Sequence, residues 1–438
     1  MANLLVGAGK TCITPPPDMF PFPVWLGYNI TGVHSDLFCR SLVIDNGEKR
    51  LLIISYDLVG VSDEAETVSV LSKETGIPPE YIFLTATHTH ACPFVSDKSQ
   101  YIQFVRKRCL IAAKQALDNM RPARFGYGTG NSYVNVNRDY EHEAGYVLQA
   151  PNFEGFSDKT LAILKFEDLE GNLICAMLNY ALTPAATFLA QDVDGRQKIC
   201  SDIPGTATDY IERRFGKGAV AIWTCGAAGN QGSHISCIRS FDVNGYATMG
   251  NLPPGTAYSF ALLHGQLHAM DAIKVLSKVA CSDGPFPIVS GELTVHLPAQ
   301  KPPEGADMQY NRLLVDNMLP VGSDGNYPER KLIEMEDDPD NPVQLRLRLL
   351  LLGNVALFGI GGMAYNEIGV LCKDKSPFRN TVVVTNICKS AGYIINDSNA
   401  HKRPFTYFGR IKPGHLDEII VNGMLRLFEM CGVTEDKN

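Results

Sequence analysis

The chain has 438 residues, of which 45% are hydrophobic and 20% are charged, and its formal net charge is −8 at pH 7. A chain of this length can bury about 75% of its unfolded surface, which is typical of a large globular protein. The negative charge argues against nucleic acid or an anionic membrane as a partner. No apolar run approaches the roughly 20 residues that span a bilayer.

The cysteine content and the N-terminal residues predict the cellular location of the protein. Twelve cysteines are scattered along the chain without paired zinc-type spacing. Disulfide frameworks are typical of short secreted chains, so we expect these thiols to be reduced and buried. The start, MANLLVGAGK, lacks the basic and long apolar regions of a secretory signal. We therefore predict a cytoplasmic protein.

Strand and helix signals alternate along the first half of the chain. Turn residues between apolar runs predict hairpins, and capping residues around amphipathic runs predict helices. In chain order these are a hairpin turning at Asn46-Gly47, a helix with Ser62 as N-cap and Gly76 just past its end, a buried strand in EYIFL (80–84), a helix over about 97–120, and a hairpin turning at Glu170-Gly171-Asn172.

The second half continues this alternation. Its predicted elements are a helix from Asp202 to Phe215, a buried strand in AVAIWTCG (219–226), a helix over 256–279, a hairpin turning at Gly353-Asn354, and a strand in NTVVVTNI (380–387). Residues from about 298 to 342 are rich in Pro, Asp, Asn and Gly, which predicts an irregular insertion or lid. We predict an α/β fold with a mixed sheet core and surrounding helices, in a single domain over residues 1–438.

Two histidines stand at the exit of the strand in EYIFL, within TATHTHACP (85–93). Side chains at i and i+2 of an extended chain face the same way, so His88 and His90 are predicted to point together beyond the strand. Hydrogen-bonded residues at a strand end are the plain alternative. Binding sites of α/β proteins, however, lie at such strand ends, and the pair is the first candidate site.

Three other histidines have weaker signals. His264 and His268 lie four residues apart on a predicted helix, a spacing that can place two imidazoles on one metal ion. Since no glutamate stands between them as in HExxH, we interpret them as packing or solvated residues. His234 follows the glycine-rich loop GAAGN, which places it to line a pocket.

A series of short motifs occurs in order between Val6 and about Gly414. They are VGAGKTCITPP, GVHSDLFCRSLVIDNG, SYDLVG, ETGIPPEYIFLTATHTHACP, NVNRDY, SDIPG, CGAAGN, NEIG and AGYIIND. Each is weak alone, but the ordered set is specific. It resembles the catalytic domain of the neutral/alkaline (non-lysosomal) ceramidases and their bacterial relatives. We expect the immunoglobulin-like C-terminal domain of those enzymes to be absent.

The resemblance implies a set of site residues. In that family two histidines, a glutamate and a tyrosine hold a zinc ion that activates water to cleave an amide. His88 is placed at the first ligand and Tyr393 at the ligand tyrosine. His90 is placed at the neighbouring catalytic histidine, and Arg138 at a substrate-binding arginine. Tyr407 is placed at a second active-site tyrosine.

Further residues lie in motifs that resemble pocket-lining segments of the family. These predicted substrate-binding residues are His34, Asp57, Asp202 and Asn230. The serine of the family's glycine-rich loop is replaced by Gly232.

Two of the four family ligand positions depart from the pattern. Thr183 in NYALTPA stands where the second histidine is found, and Met363 in GGMAYNEIG stands where the glutamate is found. Zinc takes four N, O or S donors, or three and water, and a hydroxyl or a thioether is a poor donor for it. The resemblance therefore implies a degenerate zinc site with His88 as its remaining histidine ligand, and we expect no cofactor.

A rebuilt metal site is the alternative. Glu367 lies four residues after Met363, so its carboxylate arrives about 5–6 Å further along a helix, too far without rearrangement. His34, Asp57 and Asp202 are candidates for a different metal site. Zinc is expected only if the site is rebuilt in such a way.

These observations predict a hydrolase-like enzyme that acts on a small polar substrate of the amide, ester or sugar type. One imidazole serves as general base or acid, Arg138 holds an anionic group or oxyanion, and Tyr393 donates a proton or hydrogen bond. The alternatives are a non-catalytic small-molecule-binding homologue that has lost the metal, and a zinc-dependent amidohydrolase with a rebuilt site. We expect no nucleic acid or membrane partner, and the sequence leaves the oligomeric state open.

Overall fold

The computed structural model describes residues 4–23, 29–94, 96, 98–141, 147–235, 239–241, 247–249, 252–306 and 334–433. In chain order the strands are β1 (Leu5–Cys12), β2 (Phe22–Pro23), β3 (Asn29–Val33), β4 (Phe38–Asp45), β5 (Arg50–Tyr56), β6 (Ile82–Ala86), β7 (Arg121–Asn131), β8 (Asn135–Glu141), β9 (Val147–Asn152), β10 (Thr160–Asp168), β11 (Leu173–Tyr180), β12 (Gln197–Ile199), β13 (Val220–Cys225), β14 (Gln231–Ser233), β15 (Arg239–Phe241), β16 (Ala247–Met249), β17 (Ile288–Leu297), β18 (Gln300–Lys301), β19 (Glu336–Asp337), β20 (Val343–Leu352), β21 (Val355–Ile360), β22 (Met363–Ala364), β23 (Thr381–Thr385) and β24 (Tyr393–Ile394).

The helices cover the strands from outside. The α-helices are α1 (Glu64–Thr75), α2 (Gln100–Asp118), α3 (Asp202–Phe215), α4 (Thr256–Leu276), α5 (Asn366–Lys375) and α6 (Leu416–Met430), and short 3₁₀ helices cover Pro17–Met19, Pro79–Tyr81, Asp397–Lys402 and Phe405–Phe408. Among the described residues, none of these helices is long and apolar enough to cross a bilayer.

Two large mixed sheets form the centre of the molecule. One has the strand order β13-β11-β10-β7-β1-β4-β5-β6, and the other has the order β17-β20-β21-β23. Neighbours are antiparallel except for three parallel pairs, β5–β6, β11–β13 and β21–β23. A parallel pair needs a crossover, and the three crossovers contain α1, α3 and α5. This topology confirms the predicted α/β fold with a mixed sheet core.

The core lies between the two sheets and beneath the helices. Alternate side chains of one strand enter different clusters: Leu42 packs toward the second sheet with Leu350, and the next residue, Val43, packs under α2 with Ala112. Both faces of the central strands are therefore buried, which accounts for their continuous apolar sequences. The described cysteines are free thiols, and most of them are buried.

Most predicted elements are present, with corrections at their ends. The three hairpins are β4–β5, β10–β11 and β20–β21. The prediction of Ser62 as N-cap was wrong, because α1 begins at Glu64 after Asp63, which has φ of 51° and makes no capping side-chain bond. Gly76 ends α1 at φ of 72°, as predicted. Of the predicted insertion at 298–342, residues 307–333 lie outside the described residues.

Candidate active site

The carboxyl ends of the parallel strand pairs carry the predicted site residues. His88 follows β6, Thr183 follows β11, Asn230 follows β13, and Met363 follows β21. Parallel strands joined by a crossover place their carboxyl ends at the same edge of a sheet, where α/β proteins bind ligands. The segments after these strands meet through backbone hydrogen bonds: the His90 amide donates to Pro184, the Thr183 amide donates to Gln231, and the Gly229 amide donates to Ala364.

The histidine pair is not extended, contrary to the sequence prediction. Strand β6 ends at Ala86, and His88 adopts a positive φ of 69°. The His88 amide donates to the carbonyl of Leu58 over 2.9 Å, and the His90 amide donates to the carbonyl of Pro184 over 3.1 Å. The two rings still meet, with 3.4 Å between their Nε2 atoms and a perpendicular arrangement.

Hydrogen bonding determines which nitrogens carry protons in this pair. His88 Nδ1 contacts the carbonyl of Val59, which only accepts, so Nδ1 is protonated and Nε2 has a lone pair. His90 Nε2 then donates to His88 Nε2, which leaves the lone pair of His90 on Nδ1. Burial lowers the pKa of His88 to about 4, and burial followed by the His88 charge lowers the pKa of His90. Both imidazoles are therefore neutral at pH 7.

Arg138 brings a buried positive charge to the same place. Its Nη2 donates to the carbonyl of Gly229 over 2.7 Å and to the hydroxyl of Tyr393 over 3.2 Å. The Arg138 charge also contributes to the lowered pKa values of His88 and His90. The structure thus brings the three predicted catalytic residues, His90, Arg138 and Tyr393, together with His88.

A small cavity adjoins this cluster. Its volume is about 20 Å³, and Arg138, Thr183, Gln149 and Ser233 contribute to its wall. This is room for about one water molecule. Phe188 packs edge-on against the His90 ring at 5.3 Å, which gives the cluster an apolar wall on its other side.

Two of the positions that the resemblance implies as zinc ligands hold poor donors for zinc. The Thr183 hydroxyl donates to the carbonyl of Ala228 over 2.9 Å, and Met363 offers only a buried thioether beside its strand partner Tyr393. Among the described residues, no group of three or more His, Cys, Asp or Glu side chains is arranged to hold a metal ion. Of the four positions that the resemblance implies as zinc ligands, only His88 and Tyr393 offer an imidazole and a phenol, which is fewer than the three or four donors that zinc takes.

The Glu367 carboxylate is hydrogen-bonded to two asparagine side chains. Its Oε2 accepts from the amide of Asn230 and its Oε1 accepts from the amide of Asn399, both over 2.8 Å. Asn230 in turn accepts from the backbone N–H of Asn366. These amides fix the Glu367 carboxylate and the loop that carries Gly229, so Asn230 supports the anchor of Arg138.

Two predicted substrate-binding carboxylates have structural partners. Asp57 accepts from the backbone N–H of Phe38 over 2.8 Å and pairs with Arg40 over 3.2 Å. Asp202 accepts from the N–H and the hydroxyl of Thr187. The Thr187 bonds anchor the loop that carries Thr183 and packs on His90. Substrate binding by either carboxylate stays a prediction.

The remaining predicted residues also have contacts of their own. His34 Nδ1 lies 2.9 Å from a carboxylate oxygen of Asp192, and its ring packs on Tyr258. The Tyr407 ring lies under the guanidinium of Arg403. Of the other histidines, His268 is fully buried between Trp223 and Ser132, in agreement with the packing interpretation.

Several parts of the site were not found from the sequence. Val59 and Gly229 act through their carbonyl groups, so their side chains give no signal. Phe188 lies in a loop sequence that has no recognisable motif.

Asp139 directly follows Arg138 in the sequence and was also missed. Burial raises the pKa of its carboxyl to about 6, and one of its carboxylate oxygens has no hydrogen-bond partner among the described residues.

Replacing Asp139 with asparagine is expected to stabilise the fold by about 1–3 kcal/mol at pH 8. The folded-state pKa of about 6 lies above the ordinary carboxyl value of 3.8, so the ionised group opposes folding above pH 6. The gain should shrink as the pH falls toward 4, where the carboxyl is protonated in both states. Urea unfolding at both pH values measures it.

The matched control for this variant is Asp118→Asn, at an exposed position that ends α2. Its effect should stay within about 0.5 kcal/mol at both pH values. Equal effects of the two substitutions at pH 8 would contradict the buried-charge argument for Asp139.

The known proteins that this chain resembles, in sequence and in structure, are ceramidases. No family model matches the chain. The neutral ceramidase of Drosophila pseudoobscura pseudoobscura is 29% identical over 241 residues, which are 49% of this chain and 33% of that protein. The neutral ceramidase of Drosophila melanogaster is 28% identical over 238 residues, with the same coverage. The match thus spans about a third of the length of these relatives.

The structural comparison agrees over nearly the whole chain. A crystal structure of neutral ceramidase from Pseudomonas aeruginosa has a TM-score of 0.71 at 17% identity, covering 98% of this chain and 75% of that one. A ceramidase complexed with C2 has the same TM-score and coverage at 16% identity. At such identities the likeness establishes the fold.

Proposed function

The chain is a protein of the neutral ceramidase family, and from this premise we propose that it is a hydrolase that cleaves an amide or ester bond in a small polar substrate without zinc. The observation that carries the proposal is the 3.4 Å contact between the two neutral imidazoles beside Arg138. A general base, a fixed positive charge and a phenol are the groups that a metal-free hydrolysis needs.

Each group has a role in the proposed reaction. His90 Nδ1 removes a proton from water while the water oxygen attacks the substrate carbonyl carbon. Arg138 donates to the oxyanion that forms, and Tyr393 donates a hydrogen bond beside it. The proton on His90 then passes to the leaving amine or alkoxide as its bond to carbon breaks. His88 accepts from His90 throughout and keeps its ring in place.

A polar substrate is supported by the buried guanidinium of Arg138 and its hydrogen bond to the Tyr393 hydroxyl. Thr183, Gln149 and Ser233 contribute polar groups to the wall of the cavity beside Arg138. The relatives are named ceramidases, and one solved structure is described as complexed with C2. For this chain we propose a smaller and more polar amide, ester or sugar-type compound. A cytoplasmic location and the absence of nucleic acid and membrane partners stay predictions.

The proposal is tested with a panel of short-chain N-acyl amides and esters, assayed with and without a strong zinc chelator. We expect turnover of at least one substrate and a kcat/KM that changes by less than about twofold on chelation. Loss of turnover with the chelator and its recovery on adding zinc would support the zinc-dependent amidohydrolase instead.

A non-catalytic binding protein is the second candidate function. The small volume of the cavity beside Arg138, about 20 Å³, favours it, because room for about one water molecule leaves little space for a substrate to react and its products to leave. This candidate predicts saturable binding that depends on Arg138, with no turnover anywhere in the panel.

A further inference from the structure

A second and larger cavity lies between the two sheets. Its volume is about 210 Å³, and we call it the inter-sheet cleft. Strands β7, β10 and β11 form one wall, and α5 with β23 forms the other. Ala162 and Ala181 contribute small side chains to its lining, and Gly369 lets α5 approach Ala227 closely. The inter-sheet cleft includes none of the residues proposed for hydrolysis.

The wall formed by α5 and β23 contributes two cationic side chains, Lys373 and Arg379, to the inter-sheet cleft. Lys373 donates to Asp158, and this pairing contributes to the lowered pKa of the Asp158 carboxyl. The other oxygen of Asp158 accepts from the N–H and hydroxyl of Thr160. The carboxylate is thereby satisfied within the protein. Arg379 is exposed and has no ion-pair or hydrogen-bond partner among the described residues, so the cleft has a surplus positive charge.

Hydroxyl groups face these cations from the opposite wall. Tyr127 and Thr129 lie two residues apart on β7, on the face that lines the cleft. Neither hydroxyl has a hydrogen-bond partner among the described residues. Arg379, Lys373 and the two hydroxyls therefore offer donors from two sides of the inter-sheet cleft, which is open to solvent at Thr129 and Arg379.

We propose that the inter-sheet cleft binds a small tetrahedral oxyanion of the phosphate type. The guanidinium of Arg379 offers paired N–H donors in the geometry that phosphate oxygens accept, and Lys373 adds a point charge. The hydroxyls of Tyr127 and Thr129 reach the oxygens on the far side. A planar carboxylate has only two oxygens, which fit donors on opposite walls less well.

The binding test is calorimetric titration of the whole protein with inorganic phosphate, sulfate and chloride at constant ionic strength. We expect saturable binding of phosphate and sulfate but not of chloride. Arg379→Ala should weaken phosphate binding by about tenfold or more, since hydrogen bonds to charged groups are lost. Arg214→Ala, which removes an exposed cation from α3, is the matched control and should leave affinity unchanged.

Two further experiments identify the chemical class of the ligand and locate its binding site. Tighter binding of glycerol 3-phosphate than of inorganic phosphate would assign a phosphomonoester, and equal binding would assign the free anion; both support the inter-sheet cleft. In crystals soaked with selenate, the anomalous signal should lie within hydrogen-bond distance of Arg379 and Lys373. Non-saturable binding, equal loss in Arg214→Ala, or a signal elsewhere would overturn the proposal.

Discussion

Replacing His90 with alanine is expected to lower kcat/KM by about 10²–10⁴-fold on the best substrate of the amide and ester panel. This is the range for loss of a positioned general base. The lone pair on His90 Nδ1 is the proposed acceptor of the water proton, and His88 Nε2 is already engaged with the His90 N–H. Steady-state kinetics at pH 7 measures the loss.

The fold should survive this change, because the backbone N–H of His90 keeps its bond to Pro184. Thermal unfolding of the variant checks this point. The matched control is His296→Ala, at an exposed histidine on β17, whose kcat/KM should stay within about twofold of the parent. A folded His90 variant with undiminished turnover would remove this residue from the mechanism.

Replacing Arg40 with methionine is expected to cost about 3–5 kcal/mol of unfolding free energy. The Arg40 side chain is 3% exposed and pairs with Asp57, Asp209 and Glu212 at 3.2, 2.9 and 2.8 Å. Without it, the buried Asp57 carboxylate keeps only the backbone N–H of Phe38. Asp209 and Glu212 keep their ion pairs with Lys10, but Asp57 is left buried without a counter-ion, which costs more than the pairing itself contributes.

The control for this prediction is Arg50→Met, which breaks an ion pair with Asp45 at a side chain that is 43% exposed. Its cost should be about 0–1 kcal/mol. Urea unfolding at pH 7 measures both variants. Burial raises the pKa of Asp57, so its carboxyl becomes protonated and uncharged as the pH is lowered. The loss of unfolding free energy caused by Arg40→Met should therefore become smaller at lower pH. Equal costs for the two variants would show that the buried network adds little.

Much of the fold follows from local sequence patterns. The apolar runs on either side of Asn46-Gly47 form β4 and β5, and Gly76 ends α1 in the left-handed region. A helix between two apolar strands gives a parallel crossover, and the candidate site residues follow strands of the three crossovers. These features depend on residues close in sequence, so periodicity and turn chemistry predict them.

The proximity of some candidate site residues was predicted, and their roles stay predictions. The resemblance supplied His90, Arg138 and Tyr393, which the structure brings together. The positive φ of His88 was not predictable, because it depends on bonds from the neighbouring β5 loop. The pairing of Asp57 with Arg40 was also missed, since it follows from the register of β4 against β5 rather than from a motif.

The central claim is that this pocket works without zinc, and zinc content tests it most directly. The protein is incubated with excess zinc chloride, desalted, analysed by mass spectrometry for metal, and crystallised for an anomalous map at the zinc edge. We predict far less than one zinc per chain and no peak beside His88. One zinc per chain, with a peak about 2.0–2.1 Å from His88 Nε2, would contradict the account.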